Sequence, residues 1–241
     1  MPVLSPELHE EARRIIARYP DGRARSAILP LLYLFQSVEG YVSRDALREI
    51  AEILGTTTAE VEAVASFYTM IRLRPTGKHL VNVCTNLPCA LRGAREVYDE
   101  AHAATGIPHG GEISDDGRFS VHEEECLGAC DAAPVVQIDF ANHDRVTPER
   151  IRALIETLRG GEVPTPARGT APADLRDASR ILAGVGSPAG DDASEADKAV
   201  PETGQVTGDE GTHEPFPGPE TQEARGAEVG GSKREGSEPP A

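Results

Sequence analysis

Leu8, Ala12, Ile15 and Ile16 recur at helical spacing behind Ser5 and Pro6, and they open a run of four predicted helices that reaches to about Arg74. In the first, SPELHEEARRIIARY, Ser5 is the N-cap and Pro6 the first helical residue, with acids in the first turn. The second, RSAILPLLYLFQSVEGY, is apolar on several sides and ends near Gly40, which predicts a buried helix. SRDALREIAEIL is capped by Ser43 and stopped by Gly55, and TTAEVEAVASFYTM carries a capping box in Thr57 and Glu60. Four short helices with brief connections fit a small bundle.

From about Gly77 the period changes. KHLVNVC alternates as a strand, and PCALRGAREVYDEAHAAT follows as a helix with Pro88 near its first turn. GRFSVHE reads as a short strand after the Asp-Asp-Gly turn at residues 115–117. APVVQIDF is an apolar strand with NHDRV as its hairpin partner. TPERIRALIETLRGG is a helix with Thr147 as N-cap, Pro148 at its first position and Gly160 past its end. The order β-α-β-β-α after a leading bundle predicts a compact α/β layer of about eighty residues.

Past Gly161 the apolar pattern all but ends. This last third holds about half of the glycines and prolines and about nine of the sixteen excess negative charges, which predicts a disordered acidic tail. One island, LRDASRILAGV at residues 175–185, has an amphipathic pattern. A helix that short is marginal in water by itself, so it is expected to form only transiently.

Composition narrows the function. Tryptophan is absent, and a net charge of −16 argues against nucleic acid or an anionic membrane surface as partner. The N-terminus is charged from its seventh residue, unlike a secretory signal, and the longest apolar run, residues 27–35, is about half the length that spans a bilayer. A cytoplasmic chain without direct membrane insertion is expected, and in a reducing compartment clustered cysteines point to metal or redox chemistry rather than to disulfides.

The four cysteines fall in two close pairs, Cys84 and Cys89 in VCTNLPCALRGA, Cys126 and Cys130 in ECLGACDAAPVVQID. Each pair sits where a loop meets a regular element, beside glycine or proline. Packing as small hydrophobes is one reading. A structural zinc site is a second, although zinc ribbons favour C-x2-C knuckles and the spacings here are four and three. A [2Fe–2S] cluster is the third: it needs four thiolates spread over a wider perimeter, two at each iron. Its negative charge suits Cys89 at a helix start and Gly128 inside the second pair, where backbone N–H groups can approach sulfur. This reading accounts for both pairs together.

With ASFYTMIRLRP just upstream, these motifs resemble the thioredoxin-like [2Fe–2S] E-subunit of bacterial NADH-quinone oxidoreductase, respiratory complex I. The resemblance covers about residues 5–160. It implies an α+β chain: an N-terminal four-helix bundle over residues 1–75 and a thioredoxin-like α/β [2Fe–2S] ferredoxin domain over 76–162, while the acidic tail expected over 163–241 has no counterpart in it. It implies Cys84, Cys89, Cys126 and Cys130 as ligands of one [2Fe–2S] cluster. The bundle would embrace a partner flavoprotein subunit that binds NADH and FMN, among other peripheral-arm subunits on the cytoplasmic side of the inner membrane. The cluster would lie beside the flavin, off the main electron path. No G-x-G-x-x-G follows a strand in this chain, so NADH and FMN belong to the partner and no complete active site is expected here. Similar subunits serve as diaphorase components of NAD-dependent formate dehydrogenases and bidirectional hydrogenases, and these motifs do not separate them.

Several residues flank the cysteines. Glu123, Glu124 and Glu125 precede Cys126 and are expected either to edge a solvated loop or to disfavour the more negative reduced state of a cluster. Arg92 and Arg95 follow Cys89 on what reads as one helix, placed to face the cluster, a partner or solvent. His122 is expected to be a surface strand residue.

Overall fold

The computed structural model describes residues 3–108 and 110–186. The predicted N-terminal helices form as α1 (Pro6–Ile16), α2 (Ile28–Glu39), α3 (Arg44–Leu54) and α4 (Thr58–Phe67), with a single 3-10 turn leading into α2. Their starts follow the sequence: Ser5 and Ser43 accept hydrogen bonds from Leu8 and Ala46 N–H, and Thr57 and Glu60 close a capping box. Gly40 and Gly55, both left-handed, end α2 and α3. The apolar faces meet around α2, whose Leu31, Leu32, Leu34 and Phe35 have no exposed surface.

The second part is a four-stranded sheet in the order β2-β1-β3-β4, made of β1 (His79–Cys84), β2 (Phe119–Glu124), β3 (Val136–Ile138) and β4 (Ala141–His143). β1 pairs in parallel with β2 and antiparallel with β3, which turns back into β4. One face, with Val81, Val83, Phe119, Val121, Val136 and Ile138, packs on α6 (Ala94–Thr105) and α7 (Pro148–Arg159). Leu80, Asn82 and Cys84 alternate to the other face. Gly77 enters β1 so close to β2 that a Cβ would stand 2.4 Å from the Phe119 carbonyl carbon, a contact no side chain permits.

Two expectations are corrected. The helix expected from Pro88 onward is two helices: α5 (Leu87–Ala90) stops after one turn, and Gly93 at φ +90° breaks the path before α6 begins. Arg92 and Arg95 are therefore not on the helix that carries Cys89. The tail also does not begin at residue 163. Residues 163–174 run back across the sheet, where Ala167 N–H donates to the Asn142 carbonyl at 2.7 Å and Arg168 pairs with Asp144 at 3.1 Å, which covers edge strand β4. The chain then forms α8 (Leu175–Ala183), capped by Asp174 and packed along α2 with Leu175, Ala178 and Ala183 buried. The helical core thus has five members among the described residues. The disorder expected for residues 187–241 falls outside the described residues.

Candidate metal centre

Both cysteine pairs come to the same end of the sheet. Cys84 is the last residue of β1, and Cys89 lies on α5, whose N-cap is Asn86. Cys126 and Cys130 lie on the loop that leaves β2 and enters β3 through a 3-10 turn at residues 130–132. Cys84 N–H donates to the Val135 carbonyl at 3.1 Å and Thr85 N–H to the Glu124 carbonyl at 3.1 Å, so the backbone ties the two cysteine loops together.

The thiols are arranged two by two. Cys84 neighbours Cys89 closely enough to raise its thiol, Cys126 does the same to Cys130, and Cys130 also interacts electrostatically with both Cys84 and Cys89. The first pair is buried, at 2% and 1% exposure, in an apolar cluster with Ala94, Ala129, Ala133 and Val135; the second pair is exposed. Burial, then the neighbouring thiols, push the Cys89 thiol up to about 11, against a backbone hydrogen bond at Val135 that works the other way. Cys130 is also raised, by desolvation and then by Cys126. Protonated thiols of this kind become thiolates when a cation draws them, so metal loading and deprotonation go together.

This donor set fits a two-iron cluster. Gly128 N–H donates to Cys126 Sγ at 3.4 Å, an amide placed to stabilise a thiolate, and Gly128 adopts φ +70° to do so. Two facing pairs suit a cluster with two thiolates at each iron better than a single tetrahedral zinc.

Residues 12–159 match the sequence pattern of the thioredoxin-like [2Fe–2S] ferredoxins. The chain belongs to the thioredoxin-like [2Fe–2S] ferredoxin family. It is 45% identical to the NADH-quinone oxidoreductase E-subunit of Mycobacterium tuberculosis (strain H37Rv) over 184 residues, 76% of this chain and 72% of that one. It is 44% identical to the NADH-quinone oxidoreductase subunit 2 of Thermus thermophilus over 147 residues, 61% of this chain and 81% of that one. An NAD+-reducing [NiFe]-hydrogenase in its air-oxidised state aligns with 55% of this chain and 23% of that chain at TM-score 0.49 and 26% identity. Only eleven residues precede the span matched by the ferredoxin family, so the mycobacterial match, being longer, extends past Arg159 over the segment that carries α8.

Beside the exposed cysteine pair lies a cleft of about 490 Å³ between the loop after α4 and the end of β2. Arg72, Arg74 and Tyr68 line one side, and Glu112, His122 and Glu123 to Glu125 the other. Arg95 holds Glu123 at 2.6 Å and Arg74 holds Glu112 at 2.8 Å, so two carboxylates are countered. Half-buried Glu124 has its carboxyl raised by desolvation, with Arg72 acting against the rise. His122 is no simple surface residue: Arg72 Nη2 donates to its Nε2 at 2.9 Å, which fixes the neutral ring with the proton on Nδ1. Burial, then Arg72, lower His122 to about 4. Arg92 is exposed at the break between α5 and α6, where its N–H donates to the Cys89 carbonyl at 3.0 Å. The sequence reading missed Arg72, which gives no local signal because its partner is fifty positions away. It also missed Leu87 and Leu91, exposed at 67% and 77% on either side of Cys89. Large apolar residues flanking a candidate cysteine ligand were the available signal.

Proposed function

We propose that Cys84, Cys89, Cys126 and Cys130 hold one [2Fe–2S] cluster and that the chain is the electron-transfer E-subunit of an NADH-quinone oxidoreductase. The observation that carries this is the meeting of two thiol pairs at one end of the sheet, in a chain 45% identical to a subunit of that name over most of its length. The cluster, when bound, supplies storage for one electron at a time.

The chain's own part follows from its geometry. The buried pair seats the site against the apolar core, and the Gly128 amide steadies the outer pair. The outer pair lies open to an adjoining protein, which suits exchange of single electrons with the FMN of a partner NADH-binding flavoprotein subunit. The helical part, residues 1–75, together with α8 and exposed Phe67, Tyr68, Leu87 and Leu91, offers the apolar surface for that partner and for other peripheral-arm subunits. The unit spanning residues 76–162 is the ferredoxin domain. Among the described residues no helix is long and apolar enough to cross a membrane, and the chain's place is peripheral, on the cytoplasmic side, through its partner subunits.

The test is metal analysis with EPR on the anaerobically purified full chain. Two irons and two sulfides per chain with a spin-half signal after dithionite are expected. Stoichiometric zinc without iron, persisting after cluster reconstitution, overturns the electron-transfer reading. Co-purification then distinguishes the complexes: a flavoprotein accompanied by formate dehydrogenase or hydrogenase subunits would assign the chain to a diaphorase instead.

A further inference from the structure

Gln36 lies on α2 with no exposed surface, and its amide makes three hydrogen bonds. Oε1 accepts from Arg72 N–H at 2.7 Å, which fixes that atom as oxygen. Nε2 donates to the Met70 carbonyl at 3.1 Å and to Ser179 Oγ at 3.1 Å. The Ser179 hydroxyl donates onward to the Leu175 carbonyl at 2.8 Å, which leaves its lone pair for Gln36. One buried amide therefore joins α8 to the loop after α4. That loop carries Arg72, whose guanidinium reaches His122 on β2, four residues before Cys126. Bonds at its ends hold the segment in place: Leu175 N–H donates to the Lys78 carbonyl at 3.3 Å, and Arg18 Nη2 to the Gly184 carbonyl at 2.7 Å.

We propose that residues 163–186 are a strap that positions the outer thiol pair, with Ser179, Gln36 and Arg72 as the positioning residues of one relay ending at His122. The inference rests on the reading of Cys126 and Cys130 as cluster ligands. The relay begins outside residues 12–159, the span matched by the family, so the strap is an addition to the ferredoxin unit rather than part of it. Filling the helical core requires only the apolar face of α8. It does not require a hydroxyl at Ser179, nor a glutamine whose every bond is matched.

The test is Ser179→Ala in the cluster-loaded full chain, read by amide hydrogen exchange over residues 119–130 and by EPR after reduction. The expected result is exchange in that stretch about five-fold faster, the scale of one lost buried hydrogen bond, with a changed EPR line shape. Leu47→Val, a cut in the same helical core away from the relay, is expected to lower the melting temperature and leave residues 119–130 unchanged. Arg72→Lys should speed exchange there while α8 keeps its protection, and it carries the test if Ser179→Ala does not fold. Wild-type exchange and EPR in Ser179→Ala, or in Arg72→Lys where that variant stands in, overturn the strap; so does equal acceleration by Leu47→Val. Absence of any [2Fe–2S] signal in the wild type overturns the functional reading instead, and the exchange comparison still decides the strap.

Discussion

Cys84 and Cys89 lie in an apolar cluster with Ala94, Ala133 and Val135, whereas Cys126 and Cys130 stand exposed on a loop shaped by Gly128. The inner pair is packed as core and held by β1 and α5. The outer pair is held by backbone bonds to neighbouring loops and by whatever keeps that loop in place. The difference shows how one site can be both seated and open. Burial on one side fixes position and keeps water out, and exposure on the other leaves a short path to a partner.

Replacing the thiols one at a time breaks the comparison most sharply. Serine at any of the four positions is expected to abolish the normal [2Fe–2S] EPR signal. Prepared without cluster, the variants should then divide. Cys89→Ser places a hydroxyl in an apolar pocket and is expected to cost about 1–3 kcal/mol in denaturant unfolding. Cys126→Ser, at an exposed position, is expected to stay within about 0.5 kcal/mol of the parent. Equal losses at both positions would mean that the pairs are not held differently.

Alkylation of the cluster-free chain sharpens the same contrast without mutation. Only thiolate reacts, and the Cys89 thiol is pushed up to about 11 by its burial. At neutral pH its labelling by iodoacetamide should be about 100-fold slower than that of a free cysteine thiol, before any shielding is counted, and slower than that of exposed Cys126. Peptide mapping over time reads the ratio. Comparable rates would show the inner pair to be open in solution.

The acidic row runs directly into the outer pair, with Glu125 next to Cys126. Arg95 counters Glu123, but among the described residues no ion pair holds Glu124 or Glu125 at the mouth of the cleft. Changing all three to glutamine removes negative charge near a group that becomes more negative on reduction, so the midpoint potential should rise, on the order of tens of millivolts. An unmoved potential in a redox titration would reduce the row to a solvated loop edge.

The candidate ligands stood out in the sequence because they are chemically distinctive: four cysteines in the whole chain, paired, each pair beside a turn residue. The caps at Ser5, Ser43, Thr57 and Thr147 were legible for a similar reason, since a cap is a bond between residues three apart. What escaped depends on distance. A lone glycine in a helical pattern does not announce a break, and only the left-handed φ at Gly93 separates α5 from α6. The nine residues of α8 are marginal alone, set in a polar, glycine-rich stretch, and stabilised by α2, more than 130 positions earlier in the chain. The contact between Arg72 and His122 joins the helical part to the sheet and left no periodic trace.

That contact also gives the smallest effect. Burial, then Arg72, hold His122 at about 4 in the folded chain, down from 6.5, while Glu112 acts weakly the other way. A histidine lowered on folding contributes stability that is fully present above 6.5 and is lost as pH falls towards about 4, because the unfolded chain takes up the proton first. His143, lowered to about 4 by burial and then by Arg150, adds a loss of the same sign. Glu124, raised by burial, opposes both, since the folded chain binds its proton more readily. The contribution of His122 is therefore isolated by difference. In the cluster-free full chain, where acid loss of the cluster does not enter, His122→Gln should lose less melting temperature than the parent between about pH 7 and pH 5. Arg72→Gln should also flatten the slope, by removing the charge that helps keep the ring neutral. Parallel profiles for parent and His122→Gln would mean that the ring titrates freely, and that the bridge from the helical part to the outer thiol loop is open in solution.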